Sequence, residues 1–250
     1  MKQTILKYSN LLALICSLFW SSYLYAGAGG NVPSPTECAN GATTLVGCSI
    51  TATDTTYSIT GDITPISTIV GIYIGPSADN NNLTLLGNLT TDFAAGIYLN
   101  ESDFNTLILT GNISTTDDQG YGLFMNQASS NKTTINGNIT TTGNNAPGLD
   151  FFGFNTSNTT TLNGNIRTSG NAARGLWIQG SDQNTTKITG NIRTSGISSH
   201  GVEIAKLSDK DSINNTTTIT GNIRTSGVTS YGLYNNLTNS NTTNIVGDIT

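Results

Sequence analysis

The chain has 250 residues, and its 10 basic and 15 acidic residues give a formal net charge of −5. Only 10% of the residues are charged, while Thr, Asn and Gly number 42, 31 and 28; these three are poor helix formers, which excludes an all-α fold. Gly shows no three-residue period, which excludes collagen, apolar residues at 36% recur too regularly for simple disorder, and one His with three Cys argues against metal chemistry.

Residues 1–28 read as an export signal. Lys2 and Lys7 open it, Leu11 to Trp20 form a short apolar run, and Ala26-Gly27-Ala28 supplies a small-x-small cleavage pattern. Cleavage is expected after Ala28, with Ala26 as the second choice. Cys16 follows the bulky Ile15, which argues against a lipidated cysteine. Export leaves Cys38 and Cys48 in an oxidising compartment, where a disulfide between them is expected within an N-terminal cap spanning 29–54. Every basic residue after the signal lies between Lys132 and Arg224, whereas Gly29 to Asn131 holds nine acids and no base. The first half therefore repels nucleic acid and anionic lipid, and an anion-binding face belongs in the second half.

From residue 55 to 250 one unit recurs. Its anchor is apolar-x-Gly-Asn/Asp-apolar, first at Ile59-Thr60-Gly61-Asp62-Ile63 and last at Ile245-Val246-Gly247-Asp248-Ile249. The eight glycines are Gly61, Gly87, Gly111, Gly137, Gly164, Gly190, Gly221 and Gly247, about 26 residues apart. A second anchor follows, a Gly with a short alternating strand: Gly71-Ile72-Tyr73-Ile74, Gly96-Ile97-Tyr98-Leu99, Gly122-Leu123-Phe124-Met125 and onward to Gly232-Leu233-Tyr234-Asn235. Period-two alternation turns the first and third strand positions inward and the middle one outward. Thr-rich segments such as Thr159-Thr160-Thr161 precede the first anchor and suit strands. The one long repeat places its extra residues around Lys206 to Ile213, which marks a loop on one side.

Each unit thus holds two or three short strands split by Gly/Asn corners. Its few aliphatics cannot offset the entropy of ordering it alone, so units must stack. The fold class predicted is all-β: a single-stranded parallel β-helix, or β-solenoid, of about eight coils. A β-sandwich is the alternative. Stacking aligns the residue after the first Gly into an Asn ladder from Asn88 to Asn222, with Asp62 and Asp248 at its ends. Asn suits such a corner because it tolerates the left-handed conformation and bonds the turn backbone.

The signal, the Cys-bearing leader and phrases such as Gly190-Asn191-Ile192-Arg193-Thr194-Ser195-Gly196 resemble the passenger region of bacterial autotransporters. The resemblance spans about residues 1–250 and rests on composition and period. It implies an exported bacterial β-helix at the cell surface or outer membrane, or secreted, serving adhesion, self-association or virulence-related contact. The partner would be a host-surface or matrix protein or glycan, or another copy. The ten-residue alternating strands of the expected outer-membrane barrel are missing. The chain is therefore expected to be truncated, with membrane contact only through that missing barrel.

Catalysis finds little support. His200 precedes Gly201 where other repeats carry Val70, Ala95, Tyr121, Pro147, Arg174 and Tyr231, so a solvated corner is expected there. Asp117-Asp118 reads as a turn, and no phosphate-binding or calcium-binding Gly motif is present. Neither an enzyme, a cofactor, a metal nor a nucleic-acid partner is expected. Two outward ladders are the binding candidates. One is aromatic: Tyr73, Tyr98, Phe124, Trp177 and Tyr234, interrupted by Asp150 and Glu203; it also reads as a strand-stabilising stack or as a row buried under the variable loop. The other is Arg167, Arg193 and Arg224, for which Asp150, Asp182 or an external anionic glycan would supply the counter-charge. The alternative functions are a carbohydrate-active enzyme on a β-helix and an ice- or crystal-binding rod. The latter needs an outward Thr array, whereas Thr133, Thr160, Thr186, Thr217 and Thr243 share parity with the inner aliphatics.

Overall fold

The computed structural model describes Cys38 and residues 47–65, 70–92, 94–236 and 238–250. The export signal expected over 1–28 and most of the cap expected over 29–54 lie outside the described residues. Cys38 and Cys48 are joined by a disulfide.

One coil shows how the sequence winds. In Lys132–Asn136, Thr133 and Ile135 are buried while Lys132 and Asn136 are exposed. Gly137-Asn138 turns the chain into Ile139–Thr141, whose two ends are buried. A second corner leads to Leu149–Phe152, and a third returns the chain to Thr159–Asn163, which lies beside Lys132–Asn136. Each coil thus has three sides, here called the Thr face, the Arg face and the aromatic face in that order. Stacked coils form three sheets of eight, six and eight strands respectively. Every pairing between these strands is parallel and in register, for example Ile135 with Leu162 and Leu162 with Ile188. The structure is a single-stranded, all-parallel β-solenoid of seven to eight coils; the sandwich alternative, with its antiparallel sheets, is not what forms.

The interior is a set of aliphatic columns. Ile59, Leu85, Leu109, Ile135, Leu162, Ile188 and Ile219 make one of them, fully out of solvent. The close stacking leaves no room for a side chain at the first corner: a Cβ on Gly164 would lie 2.0 Å from the Gly137 carbonyl oxygen, and one on Gly190 2.2 Å from that of Gly164. Gly190 also takes a positive φ of 150°. The Asn residues following these glycines do not adopt the left-handed conformation, so the expectation that they would is corrected: Gly carries the unusual backbone and Asn carries the hydrogen bonds. Those bonds run between coils rather than within the turn. The Asn138 N–H donates to Oδ1 of Asn112 at 2.9 Å, and the Asn165 N–H to Oδ1 of Asn138 at 2.9 Å. Asp62 can open the ladder because only its acceptor is used, by the Asn88 N–H at 2.7 Å.

A second Asn ladder runs along the third corner, and this one is buried. Asn81, Asn105, Asn131, Asn158, Asn184 and Asn215 are shielded, each with its N–H donating to Oδ1 of the equivalent Asn one coil on. The side-chain amides of Asn81, Asn131, Asn158, Asn184 and Asn215 bond carbonyls of an adjacent coil, as Asn158 Nδ2 does to Ala128 O at 2.7 Å, whereas that of Asn105 has no direct partner. The residue just before each is left-handed without being Gly, from Phe104 at φ 59° to Ser157 at 58° and Asn214 at 57°. The extra residues of the long repeat form an antiparallel bridge between Leu207 and Lys210. Lys210 pairs with Asp182, and Leu207 packs where Gly153 and Gly180 have no side chain.

Candidate functional site

The outward side of each sheet carries columns of side chains, and each face has its own chemistry. On the Arg face, Ile166–Thr168, Ile192–Thr194 and Ile223–Thr225 put Arg167, Arg193 and Arg224 side by side on consecutive coils, all exposed. Thr90, Ser114 and Thr140 hold the same position in earlier coils. Among the described residues none of the three arginines joins an ion pair. The internal counter-charges expected from sequence lie elsewhere: Asp182 is engaged by Lys210, and Asp150 is buried on the aromatic face. Adjacent strands lie about 4.8 Å apart, so the like charges are close and repel.

The aromatic face brings Tyr73, Tyr98, Phe124, Asp150, Trp177, Glu203 and Tyr234 into one column, as their spacing predicts. Their exposure differs from what a free ladder requires. Tyr98 and Phe124 are only 7% and 3% exposed. The residue before each second-anchor Gly also points outward, and Val70, Ala95 and Tyr121 pack with these rings into a small cluster outside the coil. Tyr121 stacks on Phe124 at 4.6 Å, and Tyr98 contacts both Tyr73 and Phe124. Burial, then the neighbouring Asp150, push the Tyr121 hydroxyl far above its ordinary value. This half of the ladder is packing rather than open surface.

Further along, the same face gathers the titratable groups. Asp150 is 1% exposed, with Gln179 Nε2 donating to its Oδ1 at 3.2 Å. Burial dominates over that bond and pushes its carboxyl up to about 7. Arg174 Nε donates to Glu203 Oε2 at 2.7 Å, while its guanidinium lies 4.0 Å from the centre of the Trp177 ring. His200 is 7% exposed rather than at a solvated corner as expected. Its Nδ1 accepts the Tyr231 N–H at 3.0 Å, which leaves Nε2 to carry the proton 3.9 Å from Glu203. The rings of Tyr231 and Tyr234 lie 5.4 and 4.7 Å from it. Desolvation lowers its pKa against the pull of Glu203. Asp150, Arg174, Glu203 and His200 thus each have a polar partner within the cluster, while the buried Trp177 Nε1 has none. Asp117 and Asp118 serve a corner: Asp117 accepts the Asp118 N–H, and Asp118 accepts from the Asn144 N–H and amide. No group of His, Cys, Asp and Glu with metal-binding geometry occurs among the described residues.

On the Thr face, Thr133, Thr160, Thr186 and Thr217 point inward, as their parity predicts, with hydroxyls that lack a direct partner. The same strands present a second set of threonines to the outside at i, i+2 and i+4, which sequence reasoning missed. Eight five-residue strands turn three positions each outward, exposed or half-buried, and fourteen of these twenty-four are Thr; Lys132 and Lys187 are the only charged ones. The signal was present in runs such as Thr216-Thr217-Thr218-Ile219-Thr220, where both parities carry Thr. The buried Asn ladder also escaped notice, although an Asn stands directly before each Thr-face strand from Asn81 to Asn241.

The chain matches no protein-family model, no curated protein and no solved structure. Its function therefore has to be read from these faces.

Proposed function

We infer that this chain is a non-catalytic surface-interaction rod of passenger type, exported by a bacterium and held at its surface or released. Its contacts are adhesive, self-associating or virulence-related, with a host-surface or matrix protein or glycan or with further copies. One observation carries the reading: outward residues of like kind recur in register on consecutive coils, threonines on the Thr face and Arg167, Arg193 and Arg224 on the Arg face, so a long partner meets the same contact on successive coils. Contacts that are weak singly add by multivalency. The signal-like residues 1–28 and the Cys38–Cys48 disulfide support export to an oxidising compartment. A non-catalytic role is supported by the way Asp150, Arg174, Glu203 and His200 are occupied with one another or with Gln179. Beads coated with the chain should attach to host cells, to matrix or to each other, with attachment rising steeply with coating density. Attachment no better than that of albumin-coated beads at every density contradicts the reading.

The Thr face favours a second reading, an ice- or crystal-binding rod. Its outward threonines stand at the two-residue spacing such a surface needs, about 6.7 Å along the strand and 4.8 Å between coils. β-Branched side chains are stiff, so the array is preorganised. Thermal hysteresis of the chain in solution tests this; its absence removes the reading.

A further inference from the structure

We propose that the Arg face binds a linear polyuronate, a polysaccharide carrying one carboxylate per sugar, laid along the solenoid axis across Arg167, Arg193 and Arg224. The proposal rests on the surface-interaction reading and gives it a ligand class. Its first ground is charge. The three arginines are exposed, in register and outside every ion pair among the described residues. Their mutual repulsion is relieved by an anion that spans them, and a polymer relieves all three at once. Arg also offers a planar fork that fits a carboxylate with two parallel hydrogen bonds.

The second ground is what surrounds the column. Each Arg lies between an exposed Asn and an exposed Ser: Asn165 and Ser169, Asn191 and Ser195, Asn222 and Ser226. These neutral amides and hydroxyls match sugar hydroxyls. From Asn112 to Ser226 the three outward columns of this face hold no acid, and their acids, Asp62 and Asp92 at one end and Asp248 at the other, lie outside that stretch. The columns carry no aromatic residue on which a base could stack, which disfavours single-stranded nucleic acid as the polyanion. Coils repeat about every 4.8 Å, so the three guanidinium groups lie within a short span that one stretch of an extended polyuronate can cover.

Affinity electrophoresis of the chain through gels containing polygalacturonate, neutral dextran or single-stranded DNA tests the proposal. Polygalacturonate should retard the chain, and dextran should not. The informative variant is R167T/R193T/R224T, because Thr already fills this position at Thr90 and Thr140 and the fold accepts it there. Retardation should be lost in that variant and partly kept when the three are changed to Lys. Equal retardation of the Thr variant overturns the proposal, as does DNA binding as strong as polygalacturonate binding. If the coated beads still adhere while polygalacturonate neither binds nor competes, the ligand class is wrong and the surface-interaction reading stands. If the beads fail to adhere, that reading falls on its own.

Discussion

The Asn158 N–H donates to Oδ1 of Asn184 at 3.0 Å, although 26 residues separate the two in the chain. Asn158 Oδ1 in turn accepts the N–H of Asn131, and its amide reaches the Ala128 carbonyl. Asn158 Nδ2 also donates to Asn184 Oδ1 at 3.1 Å, so a single buried side chain ties together three coils. Replacing it with alanine strips partners from the buried Asn131 N–H and the Ala128 carbonyl, each costing about 1–3 kcal/mol when left unsatisfied. N158A should lower the unfolding free energy by about 3 kcal/mol in urea titration. In the exposed ladder, N165A should cost about 1 kcal/mol or less, because water replaces the lost bonds. Equal effects would show that burial does not separate the two ladders.

The Gly stack should be the least tolerant part of the corner. A Cβ at Gly164 meets the carbonyl of Gly137 at 2.0 Å, and that backbone is itself held in register on both sides. G164A should cost at least about 3 kcal/mol, the upper range for overpacking, and circular dichroism during thermal melting should show the loss. A stability equal to that of N165A would mean that the coils are not in such close contact.

Strain at the third corner can be relieved. Ser157 is exposed and left-handed at φ 58°, a conformation that costs an ordinary residue about 1 kcal/mol and Gly little. S157G should therefore raise the urea midpoint slightly. A lower midpoint would contradict the backbone assignment at this corner.

Stability should also depend on pH through Asp150. Its carboxyl is raised from 3.8 to about 7 by burial, so the folded state holds a proton that the unfolded state releases. The stabilisation is full below pH 3.8, declines as pH rises, and is gone above about pH 7. His200, lowered by burial, acts in the opposite sense: its contribution is lost as pH falls below 6.5 through its depressed value. D150N removes the first effect and keeps the second. Melting temperatures compared between pH 5 and 8 should fall with pH in the parent chain and stay level or rise in D150N; parallel profiles would show that Asp150 ionises freely.

The coil was legible because its constraints are backbone constraints. Gly at a contact with no room for Cβ, and aliphatics on either side, cannot vary without breaking the stack, so Gly137, Gly164 and Gly190 stand out by spacing alone. Exposure on the aromatic face was not legible. Whether Phe124 is open or covered depends on Tyr121, which projects from a neighbouring column at a position where the repeats accept anything from Ala95 to Arg174. His200 was misplaced for the same reason. The outward threonines are hidden by their own abundance: with Thr at both parities, period-two alternation does not separate an outward set from the inward one. The buried Asn column was readable from its constant place before the Thr strands, but its function, bonding the next coil rather than its own turn, emerges only once the coils are stacked.

The stacking itself is best tested by the distance between spin labels at Thr90 and Arg224, in a C16S background. The two residues belong to one column, linked through Ser114, Thr140, Arg167 and Arg193. Five coil steps place their backbones about 24 Å apart. Pulsed electron resonance should give a narrow distribution near that value, widened only by the label arms, and a broad distribution or one centred far from it would contradict the solenoid and every outward face built on it.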